Sequence, residues 1–153
     1  MKIPMRSFDE SLPMALLQAR ETTMRRFRPL LAAHELTEQQ WRVLRALAAA
    51  DAPLQVGELA DHTFLLAPSL SRILSTLEGR GFVARTTAQH DQRRANITLT
   101  TDGLRLVRKV APTSEEAYGA LEAAFGADRL RELLAELHAL ADLDLSHAKE
   151  AAS

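Results

Sequence analysis

Cysteine is missing from the 153 residues of this chain, and aromatic residues make up only 5% of them. Without a thiol the chain forms neither disulfides nor thiolate metal sites, which fits a reducing compartment. Alanine and leucine are abundant instead, so we expect a mainly helical fold. The start lacks the long apolar run of a signal peptide or membrane span, because Arg6, Asp9 and Glu10 interrupt it. The sequence therefore predicts a cytoplasmic protein with no membrane partner.

The motifs of common enzymes are also missing. The histidines lack the His-x-x-x-His spacing of a metal site, and they lie at positions 34, 62, 90, 138 and 147. The sequence has neither a glycine-rich phosphate loop nor the Gly-x-Ser-x-Gly elbow of a serine nucleophile. We therefore expect no enzymatic activity, no cofactor and no metal.

Charge is unevenly distributed along a chain whose 19 basic and 20 acidic residues give a net charge of −1. Between positions 80 and 94 the only acid among several arginines is Asp91, whereas the charged residues from Asp128 onward are mainly acidic. A net charge near zero does not decide whether a protein binds nucleic acid, so the local distribution must. The basic middle of the chain is the candidate region.

The first part of the chain has the pattern of two helices. A long helix should begin near Ser11, and Pro29 should kink or end it. A second helix opens at Thr37–Gln40 with a capping box, in which two side chains satisfy each other's backbone amides. The apolar residues that this helix should turn inward are Trp41, Leu44, Leu47 and Ala48. The sequence Asp-Ala-Pro at 51–53 should end it.

The middle of the chain predicts a winged helix-turn-helix. A short helix over about 55–62 precedes Ala67-Pro68-Ser69, where proline suits the first turn of another helix, which should end at Gly79-Arg80-Gly81. A short helix, a turn and a second helix form the helix-turn-helix pattern. Strands over 82–86 and 96–100, joined by an arginine-rich tip over 89–94, then predict a β-hairpin, or wing.

The C-terminal part predicts two more helices. One should start at Thr100–Asp102, run past Tyr118 and bend at Pro112. The last should run from Asp128 with leucines at helical spacing. Amphipathic helices on both sides of a winged domain suit a dimer interface. We therefore expect a single domain over 1–153, mainly α with a small β-hairpin wing. The winged helix-turn-helix should cover about 37–100, and the dimerisation helices about 9–33 and 102–147.

Two of these elements carry side chains that suit DNA. Small hydroxyl residues let a helix approach the major groove, where Arg72 can pair with guanine. Arginines at a wing tip can contact phosphates or a narrow minor groove, and Asp91 can brace Arg93. The predicted DNA-binding residues are Pro68, Ser69, Ser71, Arg72, Ser75, Thr76, His90, Asp91, Gln92, Arg93 and Arg94. The alternatives are a solvated helix face and a surface loop with an incidental ion pair.

The wing segment Asp-Gln-Arg-Arg-Ala-Asn-Ile-Thr-Leu-Thr-Thr-Asp-Gly, at 91–103, resembles the wing signature of the MarR family. Leu74–Val83 is similar to that family's exit from the recognition helix. Leu16–Glu21, Phe27–Pro29 and Leu36–Arg42 most resemble the subgroup that represses homoprotocatechuate degradation and related aromatic or pyridine carboxylate pathways. The resemblance implies a homodimer, a pseudo-palindromic operator, and an anionic aromatic effector between the dimerisation helices and the DNA-binding lobe.

An aromatic carboxylate needs a cation, an apolar slot and orienting polar groups. The candidate ligand-binding residues are Arg20, Thr23, Met24, Trp41 and His62. Each has a structural alternative: Arg20 can pair with Glu21, Glu38 or an acid of a partner chain, Trp41 can belong to the core, and His62 can cap its helix. The nearby arginines at 25, 26 and 28 are interpreted as dimer-edge or solvent-facing charges.

Together these features predict a transcriptional repressor that binds double-stranded DNA as a homodimer. A small phenolic or hydroxypyridine carboxylic acid should release it. The alternative is a winged-helix module that binds proteins and has no effector pocket. Such a module would more often present apolar side chains where this chain has hydroxyl groups and arginines.

Overall fold

The computed structural model describes residues 3–88 and 91–146, apart from the side chains at 88 and 91–93. Within them a short 3-10 helix at Phe8–Glu10 precedes nine regular elements. These are α1 (Leu12–Ala32), α2 (Glu38–Ala49), β1 (Leu54–Gln55), α3 (Val56–Thr63), α4 (Ala67–Gly79), β2 (Val83–Ala88), β3 (Asp91–Leu99), α5 (Thr101–Phe125) and α6 (Ala127–Ala141). The predicted fold class, mainly α with a β wing, is confirmed.

Local capping explains where α1 and α2 begin. The Ser11 hydroxyl accepts the backbone N–H of Met14 at 3.5 Å. The predicted capping box of α2 is present, because the Thr37 hydroxyl accepts the Gln40 N–H and the Gln40 side chain accepts the Thr37 N–H, both at 3.1 Å. Pro29 does not end α1, which continues to Ala32.

The inward face of α2 differs by one position from the prediction. Trp41, Leu44 and Leu47 are buried as expected, but Ala48 is exposed and Val43 is fully buried instead. The inward face of the helix therefore extends toward Val43, and Ala48 falls just past its other edge.

A single apolar core joins the helix-turn-helix to its surroundings. Leu59 of α3 and Leu70, Leu74 and Leu77 of α4 are fully buried in it. Burying a leucine side chain contributes about 1.5–3 kcal/mol, so these residues fix the two helices against α2 and the sheet. Val56, Ala60 and Ile73 pack against this core and are partly buried.

The sheet is larger than the predicted hairpin. Its three antiparallel strands lie in the order β1-β3-β2, and Leu54 of the unpredicted β1 pairs with Ile97. β3 begins at Asp91, so the backbone over 91–94 is strand and not part of a loop at the tip. Asp91 pairs with Ala88 across the hairpin, and from Arg94 to Ile97 exposed and buried residues alternate as in a strand.

The base of the wing is held against the start of α5. The Thr100 hydroxyl donates to the Gly81 carbonyl at 2.5 Å and accepts the Gly103 N–H at 3.0 Å. The Thr100 N–H donates to the Phe82 carbonyl at 3.1 Å. These bonds confirm the predicted cap of α5, and they fix where the wing leaves the core.

The chain divides into two compact units, one up to Glu115 and the other from Glu116 onward. The second unit contains α6, whose leucines keep much of their surface: Leu133 and Leu134 are 41% and 46% exposed. No helix of the described residues is long and apolar enough to cross a membrane. The single-domain and dimerisation assignments stay predictions.

Candidate DNA-binding and effector sites

The outward face of α4 is polar because its apolar residues are all turned to the core. Ser71, Arg72, Ser75 and Thr76 are exposed along this face, and Pro68 and Ser69 lie in the first turn, exposed and half-buried respectively. The Thr76 hydroxyl donates to the Arg72 carbonyl at 3.1 Å. Because a hydroxyl has one donor, its oxygen is left to accept a hydrogen bond from outside. The face offers small hydroxyl groups around one long cation.

The wing follows this helix at once and is tied to it. Arg85 of β2 lies with its Nε 3.4 Å from Glu78 Oε2, near the end of α4. Arg94 is exposed on β3. The structure therefore places one predicted wing cation, Arg94, on the surface of the same unit as the α4 face.

The other predicted wing contacts lie outside what the structure describes. His90 is beyond the described residues, and the side chains of Asp91, Gln92 and Arg93 are not described. The brace between Asp91 and Arg93 therefore stays a prediction.

Arg20, the predicted effector cation, is part of an ion-pair cluster between α1 and α2. Arg20 Nη2 donates to Glu38 Oε1 at 2.8 Å, and Arg20 Nη1 lies 3.7 Å from Glu21 Oε1. Arg28 donates to both carboxylate oxygens of Glu21, each at 2.8 Å, and its Nε lies 3.5 Å from Glu38 Oε2. Arg42 Nη2 closes the cluster, 4.0 Å from Glu38 Oε1.

The electrostatics of this cluster are unbalanced. Its three arginines and two carboxylates leave one positive charge in excess. The hydrogen bonds from Arg28 hold the pKa of Glu21 below its ordinary value of 4.5, and the same bonds raise the pKa of Arg28. The side chain of Glu38 is only 11% exposed, and its Oε2 has no hydrogen-bond partner among the described residues. Arg28 Nε approaches that oxygen only to ion-pair distance, so the charge of Glu38 is less completely hydrogen-bonded than that of Glu21.

The remaining effector candidates are in mixed surroundings. Thr23 and Met24 are half-buried on α1, and the Thr23 hydroxyl donates to the Arg20 carbonyl at 2.8 Å. Trp41 is buried in the apolar core, 7% exposed, which is the structural alternative that the sequence offered for it. His62 is exposed in the last turn of α3, and no hydrogen bond connects it with the other candidates in the described part of the chain.

Sequence reasoning named Glu21 and Glu38 as possible partners of Arg20, and the structure has both, but it missed Arg28 and Arg42 as members of the cluster. Arg28 was interpreted as a dimer-edge or solvent-facing charge, but it is half-buried and paired with Glu21; Arg25 and Arg26 are exposed as expected. The spacing of seven residues between Glu21 and Arg28, two turns on one helix face, is the signal that could have shown the pair.

Comparisons with known proteins find relatives among transcriptional regulators of the helix-turn-helix type. The model of the MarR family matches residues 34–94. The chain is 43% identical to the homoprotocatechuate degradative operon repressor of Escherichia coli, over 81% of this chain and 83% of that protein. It is 38% identical to the HTH-type transcriptional regulator FarR of Neisseria gonorrhoeae, over 92% of this chain and 97% of FarR. The solved structure of NadR in complex with 4-hydroxyphenylacetate matches with a TM-score of 0.78 at 37% identity, over 93% of this chain and 100% of NadR.

Proposed function

The chain belongs to the MarR family of transcriptional regulators, and we propose that it is a homodimeric repressor released from a pseudo-palindromic operator by a small aromatic carboxylic acid. The observation that carries the DNA-binding part is the exposed hydroxyl and arginine face of α4, followed directly by a wing that bears Arg94. In this role α4 enters the major groove, where Arg72 reads guanine, and the wing contacts the phosphate backbone.

Two exposed apolar surfaces support the dimer. Leu12 and Leu17 of α1 are 52% and 51% exposed, and Leu133 and Leu134 of α6 are 41% and 46% exposed in the single chain. Apolar patches of this kind mark protein interfaces. A two-fold dimer sets two recognition helices about 34 Å apart, one helical turn of DNA, which is why its operator repeats as an inverted half-site.

The effector part rests on the cluster around Glu38. An aromatic carboxylate brings the negative charge that the cluster lacks, and Arg20 can turn from Glu38 to the ligand. Met24 supplies apolar surface one turn further along α1, with Thr23, Trp41 and His62 as further contacts. Two relatives support the ligand class by their names, one a repressor of homoprotocatechuate degradation and one solved with 4-hydroxyphenylacetate. The acid releases the operator only to the extent that it binds the released state more tightly.

The first experiment is a fluorescence anisotropy titration of the protein against its own upstream intergenic DNA. A random duplex of the same length is the control, and both are repeated with phenylacetates, benzoates and hydroxypyridine carboxylates. We expect tight, salt-sensitive and sequence-selective binding that one class of acid reverses. Selective binding that no acid reverses would discard the effector site. Equal binding to both duplexes by a dimer would favour the protein-interaction module.

Arginine variants then test the two sites separately. Arg94→Ala should weaken binding to operator and random DNA alike and lower the slope of log affinity against log salt by about one, because one phosphate contact is lost. An unchanged slope would show that Arg94 does not contact a phosphate. Arg20→Ala should raise the concentration of acid needed for release, whereas Arg26→Ala, which removes an exposed arginine of the same helix, should not.

A further inference from the structure

The turn between α3 and α4 has little of its own to hold it in shape. Phe64 has a left-handed backbone with φ 53°, and its side chain is 91% exposed. The left-handed conformation costs a residue that has a Cβ about 1–2 kcal/mol. Leu66 is 77% exposed and its side chain gives α4 no N-terminal cap. Of the three turn residues only Leu65 packs against the core, where it is partly buried, so contacts from neighbouring elements contribute to the shape of the turn.

Arg42 of α2 forms a hydrogen bond on the N-terminal side of this turn. Its Nη1 donates to the Thr63 carbonyl at 2.9 Å, immediately before Phe64. Thr63 is itself buried, and its hydroxyl donates to the Leu59 carbonyl at 2.6 Å. The last carbonyls of a helix have no partner within the helix, and a cation there is also favoured by the helix dipole. Arg42 thus satisfies a carbonyl that the turn would otherwise leave unpaired.

The other half of the Arg42 guanidinium faces the ion-pair cluster. Its Nη2 lies 4.0 Å from Glu38 Oε1, one turn earlier on α2. A planar guanidinium can hold two acceptors in a fixed fork, which a lysine ammonium of shorter reach does not. Glu38 therefore attracts one end of the guanidinium, while the other end donates to the last carbonyl of α3.

From these contacts we propose that Arg42 is a positioning residue for operator recognition. It sets the turn that aims the first residues of α4 at the bases, and it touches no DNA itself. The inference rests on the proposed DNA-binding function. Base contacts of a helix-turn-helix come mainly from the N-terminal part of the recognition helix, which is the part that this turn directs. Loss of the Arg42 bond should consequently reduce sequence discrimination more than general affinity for DNA.

The test compares Arg42→Met with the wild type and with Arg26→Met, using the upstream intergenic duplex and a random duplex of equal length. Methionine keeps the apolar stem that packs on α2 and removes every donor. We expect Arg42→Met to bind the upstream duplex about tenfold more weakly, near the lower end of what a hydrogen bond from a charged donor is worth. Its affinity for random DNA should stay within twofold of wild type (~0.4 kcal/mol). Arg26→Met should retain the wild-type ratio of the two affinities.

The possible failures are distinguishable. A wild type that does not discriminate between the duplexes overturns the proposed DNA-reading function itself. A discriminating wild type whose ratio is unchanged in a folded Arg42→Met overturns the positioning role alone. Equal losses on both duplexes also overturn it, because they indicate a general structural defect. Should Arg42→Met not fold, Arg42→Gln decides the question: its side chain is polar but ends where Arg42 Nε lies, too far to replace the bond to the Thr63 carbonyl, so an unchanged ratio in a folded Arg42→Gln refutes the proposal.

Discussion

Gly103 lies where α5 comes closest to the base of the wing, and Gly103→Ala should disrupt that contact. A Cβ added to Gly103 would stand 2.0 Å from the Phe82 carbonyl oxygen and 3.1 Å from Leu99 Cδ2. The first distance is far inside van der Waals contact, and the atom it meets is backbone, which cannot swing aside. The same carbonyl accepts the Thr100 N–H at 3.1 Å, so moving it strains the cap of α5.

The size of the effect follows from three contributions. Overpacking a well-packed site costs about 1–3 kcal/mol. Weakening the bond between the Thr100 N–H and the Phe82 carbonyl costs up to about 1.5 kcal/mol. Alanine recovers about 0.5–1 kcal/mol because glycine is a poor helix residue. We therefore expect Gly103→Ala to lower the free energy of unfolding by about 2 kcal/mol, and Tm by about 4–8 °C for a chain of this size.

Urea unfolding followed by far-UV circular dichroism measures this loss, at one fixed protein concentration because dimer formation adds to apparent stability. Gly57→Ala is the matched control. Gly57 is also helical, in α3, but a Cβ there meets nothing within 4 Å, so this variant should be as stable as the wild type or up to about 1 kcal/mol more stable. If Gly103→Ala unfolds at the same urea concentration as Gly57→Ala, the close approach of α5 to Phe82 is wrong.

Three further predictions concern stability. Phe64→Gly should raise Tm by about 1–2 °C, because glycine relieves the strain of a left-handed backbone at an exposed site. Part of this gain is offset because glycine makes the unfolded chain more flexible. A lower Tm would show that the Phe64 ring packs. Thr37→Ala should lower the free energy of unfolding by about 1 kcal/mol in urea titrations, because the α2 cap is lost, and a neutral result would contradict the capping box. Glu21 has a folded pKa below 4.5, so its pairing with Arg28 stabilises the protein above that pH and is lost as the pH falls through the lowered pKa. The stability difference between wild type and Arg28→Gln in urea should therefore shrink on acidification, and a constant difference would contradict the pairing.

Features of the fold that depend on neighbouring residues could be predicted from the sequence. The cap at Thr37, the proline in the first turn of α4 and the glycines after it are local signals, and each marks an element boundary to within a residue or two. The helix-turn-helix followed from these boundaries, because its short helices leave few other arrangements. The strand predicted over 96–100 likewise lies almost entirely within β3.

Features of the fold that depend on contacts between distant segments could not be predicted from the sequence. β1 is two residues long and exists only because Leu54 and Gln55 pair with β3, some forty positions later. The polar start of β3 is strand because Asp91 pairs with Ala88 across the hairpin, and the sequence there suggests a loop. The sequence offered three alternative partners for Arg20, since a long side chain reaches several acids. The packing of α1 on α2 gives Arg20 its hydrogen bond to Glu38, beside a longer ion pair with Glu21.

The position of Glu38 explains how one short helix can serve both candidate sites. Glu38 is the first residue of α2, where the helix dipole favours a carboxylate, and the capping box satisfies the nearby amides without using its oxygens. Its side chain is therefore left to the arginines of α1. Arg42 follows four residues later, the spacing and order in which an acid and a base attract on a helix. Val43 and Leu44 bury α2 in the core. The helix therefore keeps a fixed separation between two contacts: that of Glu38 with α1, and that of Arg42 with the end of α3.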